Sequence, residues 1–202
     1  MPIEIKKHVR EFVHKYLDVT AEQEHAIVDY ALDTWGALPV TVKYLHFVGK
    51  KGTGKTRALK IMECICQNPI FACGTSSPFS VVTMLQYPST LILDDADIFP
   101  EQKPDEDGYV PENPFDKILM VGANRNQYMI FGGKKYKTFG YKVIATHKTF
   151  SNLSLAYRCI TIQLKPKEKI ELPILDSDIE RIRKLLKKYF ESVQSHYEYV
   201  TC

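Results

Sequence analysis

No apolar run in this 202-residue chain approaches membrane-spanning length, and the opening residues MPIEIKKHVREFVHKY lack the apolar core of a secretory leader. A cytoplasmic protein with no membrane partner is therefore expected. Cysteine is sparse: residues 64, 66, 73, 159 and 202 make five, none in a C-x-x-C pair. An odd, unpaired set argues against a disulfide scaffold and for a reduced intracellular compartment. The glycosylation match Asn152-Leu153-Ser154 is accordingly expected to be unused. An excess of one charge is also missing. With 27 basic and 24 acidic residues the formal charge is only +3, so any nucleic-acid contact must rest on local clusters. Internal repeats and low-complexity tracts are absent too. What remains is 45% hydrophobic and 25% charged, a composition able to bury a core in one domain with a small helical appendage.

The hydrophobic pattern divides this chain into three parts. Residues 1–38 read as two helices. The first places Val9, Phe12, Val13 and Tyr16 at helical spacing; Thr20 is positioned to cap the second, and Gly36 to stop it. Residues 39–168 alternate strands with helices. VKYLHFVG, PIFACG, STLILDD, YKVIAT and CITIQL are apolar, β-branched strand segments. KTRALKIMECICQ, PFSVVTMLQY after the cap Ser77, and FDKILMVGA are helical. Residues 98–114 carry four prolines and an acidic stretch, the mark of an exposed insertion. Residues 169–202 close with an amphipathic helix capped near Asp176 or Ser177. Strand-helix alternation implies an α/β architecture, a mostly parallel five-stranded sheet with helices on its faces.

Chemistry concentrates after the first strand. Gly49-Lys50-Lys51-Gly52-Thr53-Gly54-Lys55-Thr56 matches G-x-x-x-x-G-K-[ST] in full. Glycines let successive backbone N–H groups converge on one anion, and the following helix aims its positive end at it. The candidate nucleotide-binding set is Gly49, Lys51, Gly52, Thr53, Gly54, Lys55, Thr56 and Arg57. Lys55 is the candidate bridge between β- and γ-phosphates, and Thr56 a ligand for Mg²⁺. A later strand ends in Asp94-Asp95, where Asp94 would serve the metal through water and Asp95 would orient or deprotonate the attacking water. A third cluster, MIFGGKKYKTF, reads as a hairpin turning at Gly132-Gly133. Its Lys134, Lys135 and Lys137 interleave with Phe131, Tyr136 and Phe139, and Arg125 and Lys142 add charge nearby. Lysines neutralise phosphates and rings stack on unpaired bases, while the same lysines could simply keep a turn soluble.

With these motifs placed, residues 40–165 resemble the AAA+ class of P-loop ATPases. The stretch from YLHFVGKKGTGKT to STLILDDADIF is similar to the ATPase core of viral and plasmid helicases and primase-helicases, the superfamily-3 type. That resemblance implies a three-layer P-loop fold, ATP and Mg²⁺ as cofactors, DNA as a partner, and a homo-oligomeric ring such as a hexamer. It also implies that KVIATHKTF is a sensor strand, with His147 the first and Thr146 the second candidate to feel the γ-phosphate. LSLAYRCITIQL resembles a clamp-loader segment whose arginine reaches a neighbour's nucleotide, so Arg158 is the candidate finger, although Tyr157 stands where that segment has serine. Arg181 and Arg183 are candidates for a lid arginine on a reduced lid. The class more often carries Asp-Glu than Asp94-Asp95. The expected function is Mg²⁺-dependent ATP hydrolysis by a DNA helicase or replication motor of a virus or mobile element, with Lys55, Asp95, His147 and Arg158 catalytic. The rivals are an ATP-driven loader or assembly protein, a small-molecule kinase, and a non-hydrolysing scaffold.

Overall fold

A computed structural model describes residues 3–85, 89–96, 114–166 and 172–200, with backbone only at 114 and 193–200. The acidic, proline-rich insertion expected over 98–114 falls almost wholly outside the described residues, as does Cys202.

Five strands form one parallel sheet in the order β2-β3-β6-β1-β7: β1 (Tyr44–Val48), β2 (Pro69–Cys73), β3 (Thr90–Asp94), β6 (Lys142–Thr146) and β7 (Cys159–Gln163). The inner strands β1, β3 and β6 are buried at every position. Their unbroken apolar runs suit a sheet covered on both faces. The two outermost strands, β2 and β7, alternate with exposed positions. Because all five run parallel, Val48, Asp94 and Thr146 end at one edge, and whatever follows them gathers there.

One helical layer consists of α1 (Ile3–Tyr16), α2 (Ala21–Asp33), α3 (Lys55–Ile65) and α7 (Asp176–Val200), which pack on one another. The other contains α4 (Pro78–Met84), α5 (Pro114–Val121) and α6 (Leu153–Ala156). This is a three-layer α/β fold. Local chemistry explains the boundaries. Thr20 and Gln23 form a reciprocal capping box at the start of α2. Ser77 caps α4 with Pro78 at its first position. Asn152 spends its side-chain oxygen on the N–H groups of Ser154 and Leu155, starting α6, a turn the hydrophobic pattern does not reveal. α2 ends three residues before Gly36, at Asp33.

A single hydrophobic cluster unites α1, α2, the sheet and α7. α1 contributes Ile5, Val9, Phe12, Val13 and Tyr16 as one buried stripe, each large side chain stabilising by about 1.5–3 kcal/mol. Trp35 stacks on Phe190 of α7, with ring centroids 5.6 Å apart, and donates its indole N–H to the Ile65 carbonyl.

One charge assignment is overturned. Lys142, read as extra charge beside the hairpin, is fully buried at the start of β6. Its ammonium donates to the carbonyls of Gly122 (3.3 Å), Thr138 (2.7 Å) and Gly140 (3.0 Å) and lies 4.9 Å from the Tyr44 ring centre. It presents no charge at the surface. Instead it ties the end of α5 and the base of the hairpin to the central sheet.

Candidate nucleotide site

The phosphate loop leaves β1 at Gly49 and enters α3 at Lys55. Gly52 and Gly54 take left-handed dihedrals, φ 83° and 86°, which glycine adopts without a side-chain penalty. Gly49 is glycine for a different reason, close packing against Thr53 and the Leu164 carbonyl. Thr53 is buried beneath the loop, its hydroxyl donating to the Lys50 carbonyl at 2.8 Å. The Lys55 ammonium, also buried, folds back onto the carbonyls of Gly49 (2.8 Å) and Lys50 (3.2 Å).

Across the loop, the Thr56 hydroxyl donates to Asp94 Oδ2 at 2.9 Å, joining the helix start to the end of β3. Asp94 Oδ1 accepts from the Asp95 N–H at 2.9 Å. Asp95 sits at φ 49°, a left-handed turn that aspartate tolerates better than most residues. That turn is stitched from both sides: Gly74 N–H donates to the Asp94 carbonyl, and Ala96 N–H to the Ala145 carbonyl. A cavity of about 600 Å³ opens above, lined by Lys51, Gly52, Gly54, Lys55, Thr56, Arg57, Asp95 and His147. Three cations, Lys51, Lys55 and Arg57, around the start of a helix make it suited to a polyanion. The donor set also fits Mg²⁺. A hydroxyl and a carboxylate already in contact are hard oxygen ligands that leave the remaining positions to water and phosphate. Among the described residues, no group of three or more His, Cys, Asp or Glu is placed to hold a metal ion by itself.

The two sensor candidates sit differently. Thr146 is fully buried, and its hydroxyl donates to the Lys148 carbonyl at 2.6 Å. His147, the next residue, is half-buried and lines the cavity. Arg57 also lines the cavity, but its guanidinium is engaged elsewhere. It donates to the Tyr16 carbonyl at 2.7 Å and to the Leu172 carbonyl, tying α1 and the approach to α7 onto the phosphate-loop helix.

Other candidates lie apart. Arg158 precedes β7, where its carbonyl accepts from Tyr44 N–H at the start of β1. It is therefore a full strand away from its own phosphate loop, about 16 Å at 3.3 Å per residue. Its guanidinium donates to the Ser154 carbonyl at 2.6 Å and meets Met120 Sδ at 3.6 Å, beside a second cavity that includes Tyr128 and Asn126. The hairpin forms as expected from β4 (Met129–Phe131) and β5 (Lys134–Tyr136), with Gly132 and Gly133 both at positive φ. Lys134, Lys135 and Lys137 are exposed, and Lys135 lies 4.5 Å from the Tyr128 ring centre. Phe131 and Tyr136 are half-buried and pack edge-to-face with each other and with Phe79 of α4. Arg183 donates to the carbonyls of Glu63 and Cys64 at the far end of α3 from the loop, and Arg181 lies 3.9 Å from Asp178. Neither guanidinium faces the cavity.

No protein-family model matches the chain, and no curated protein matches it in sequence. Among solved structures it is similar to an X-ray structure of a JCV helicase, with 13% identity and a TM-score of 0.48, over 83% of this chain and 46% of that one. The chain thus spans less than half the length of that protein. At such identity and score the likeness assigns no residue a role. No helix among the described residues is long and apolar enough to cross a membrane.

Proposed function

We propose that the protein is a Mg²⁺-dependent ATPase of the AAA+ type, acting inside the cell as a DNA helicase or replication motor of a virus or mobile element. In this reading residues 39–168 are the ATPase core, flanked by the helical segments 1–38 and 169–202. One observation carries the proposal: the Thr56–Asp94 hydrogen bond joins a complete phosphate loop to an acid pair, with Asp95 and His147 on the wall of the same cavity.

The chain's own groups divide the work. Backbone N–H groups of residues 52–56 hold the phosphates, and Lys55 exchanges two loop carbonyls for β- and γ-phosphate oxygens. Thr56 and Asp94 would hold Mg²⁺, which when bound supplies charge neutralisation across the phosphates. Asp95 accepts a proton from the attacking water, and His147 donates a hydrogen bond to the terminal phosphate or that water. Arg158 serves a neighbouring subunit, since its edge of the sheet faces away from its own loop. Lys134, Lys135 and Lys137 meet the nucleic-acid backbone.

A second reading, an ATP-driven loader or assembly protein, draws support from Phe131 and Tyr136, which are already packed against Phe79 and so less open to bases. ATPase rate and molecular mass, measured together with and without single-stranded DNA, test both. Lys55→Ala should lose ATP binding and turnover; ATP bound as tightly as by the parent would refute the nucleotide site. The Lys134→Ala/Lys135→Ala protein should lose DNA stimulation and keep basal turnover. An unchanged response to DNA would favour the loader.

A further inference from the structure

A histidine inside an apolar strand must find a polar partner, because a buried N–H left unsatisfied destabilises the fold. His46 is such a residue. It sits in β1, 1% exposed, with Nε2 at 2.6 Å from the Thr146 hydroxyl. That hydroxyl has a single proton, and it is given to the Lys148 carbonyl. Thr146 can then only accept from His46, so His46 Nε2 carries the hydrogen. The Phe150 ring stacks on the His46 imidazole with centroids 4.5 Å apart and planes 25° from parallel. The Thr146 carbonyl, meanwhile, accepts from Gly49 N–H, the first amide of the phosphate loop.

These contacts share one geometric consequence. Thr146 at the end of β6 and residues 148 and 150 of the turn beyond it are each held by β1 or by one another, and His147 lies between two of the fixed points. The strand that delivers the phosphate loop is therefore the strand that orients His147. We infer that the His46–Thr146 hydrogen bond is a positioning device, holding His147 against the phosphate cavity in fixed register with the phosphate loop. The inference rests on the reading of that cavity as a triphosphate site. His46 and Thr146 act through His147 and are positioning residues.

Three variants separate this role from general packing. Thr146→Val keeps the shape and deletes the hydroxyl, Thr146→Ser keeps the hydroxyl, and His46→Phe keeps a ring against Phe150 while deleting the donor. Affinity for a non-hydrolysable ATP analogue, kcat, melting temperature and the NMR response of the His147 ring to that analogue are measured for each. The ring signal is assigned by its loss in His147→Ala. Thr146→Val and His46→Phe should bind the analogue within about threefold of the parent, lower kcat roughly ten- to hundredfold, and abolish the ring's response. Thr146→Ser should retain both turnover and response. The inference is overturned if Thr146→Val keeps parental turnover and ring response, or if Thr146→Ser is as impaired as Thr146→Val. A parent that binds no triphosphate, with Lys55→Ala indistinguishable from it, would overturn the triphosphate reading and this inference together. Loss of affinity in Lys55→Ala alone, beside an unaffected Thr146→Val, would overturn only the inference.

Discussion

Replacing Gly49 by alanine tests whether the first glycine of the phosphate loop is there for space or for backbone freedom. Gly52 and Gly54 occupy left-handed dihedrals, whereas Gly49 is not among the residues with positive φ. A Cβ at Gly49 would stand 2.3 Å from Thr53 Oγ1 and 3.1 Å from both Thr53 Cβ and the Leu164 carbonyl oxygen. The hydroxyl must withdraw by about 1 Å to reach ordinary contact, and Thr53 is only 1% exposed. Withdrawal breaks the Thr53–Lys50 hydrogen bond, worth about 1 kcal/mol. Overpacking against a backbone carbonyl adds about 1–3 kcal/mol, for a total near 2–4 kcal/mol. If the free protein bears the strain, the melting temperature should fall by about 4–16 °C for a domain of this size. If the loop relaxes out of its phosphate-binding shape, the same energy should leave as affinity, roughly 30- to 700-fold weaker ATP binding. Calorimetric unfolding and titration with a non-hydrolysable analogue capture both routes. Adding Thr53→Ala removes the atom in closest conflict, so the double variant should be less impaired than Gly49→Ala alone. Gly49→Ala within about 1 °C and threefold of the parent, or a double variant showing no relief, would refute the steric account.

The buried ammonium of Lys142 supplies a pH prediction. Burial pulls its pKa from 10.5 down to about 7, so the unfolded chain binds the extra proton between those values. Stability should therefore rise with pH across that window and be lost as pH falls toward 7, by up to about 1.4 kcal/mol per unit. Urea unfolding of the parent and of Lys142→Met at several pH values isolates the contribution; parallel profiles would contradict it. At the neighbouring Gly122, a Cβ would meet Lys142 Nζ and the Thr138 carbonyl at 2.5 Å and the Ile118 carbonyl at 2.7 Å. Gly122→Ala should cost about 3 kcal/mol or more and lower the melting temperature by at least about 6 °C, since two of the three neighbours are backbone.

Much of the architecture was legible along the chain because it depends on neighbours a few residues apart. The Thr20–Gln23 capping box, the Ser77-Pro78 helix start, the Gly132-Gly133 turn and the loop from Gly49 to Thr56 are local features, and each forms where the sequence places it. The unbroken apolar runs of β1, β3 and β6 likewise announce strands covered on both faces. Other decisions required the tertiary structure. Lys142 reads as surface charge until three carbonyls close around it. His147 stands ahead of Thr146 on resemblance alone, but only the fold shows His46, a hundred residues earlier, engaging the threonine while the histidine lines the cavity wall. Arg158 is near the sensor segment in sequence, yet the parallel course of β7 carries it to the opposite edge of the sheet from the loop. Dihedral preference and hydrophobic period act over a turn or two of chain, so the sequence alone marks most of the segments that become strands and helices. Which polar groups meet depends on strand order and register, and those exist only once the sheet has assembled.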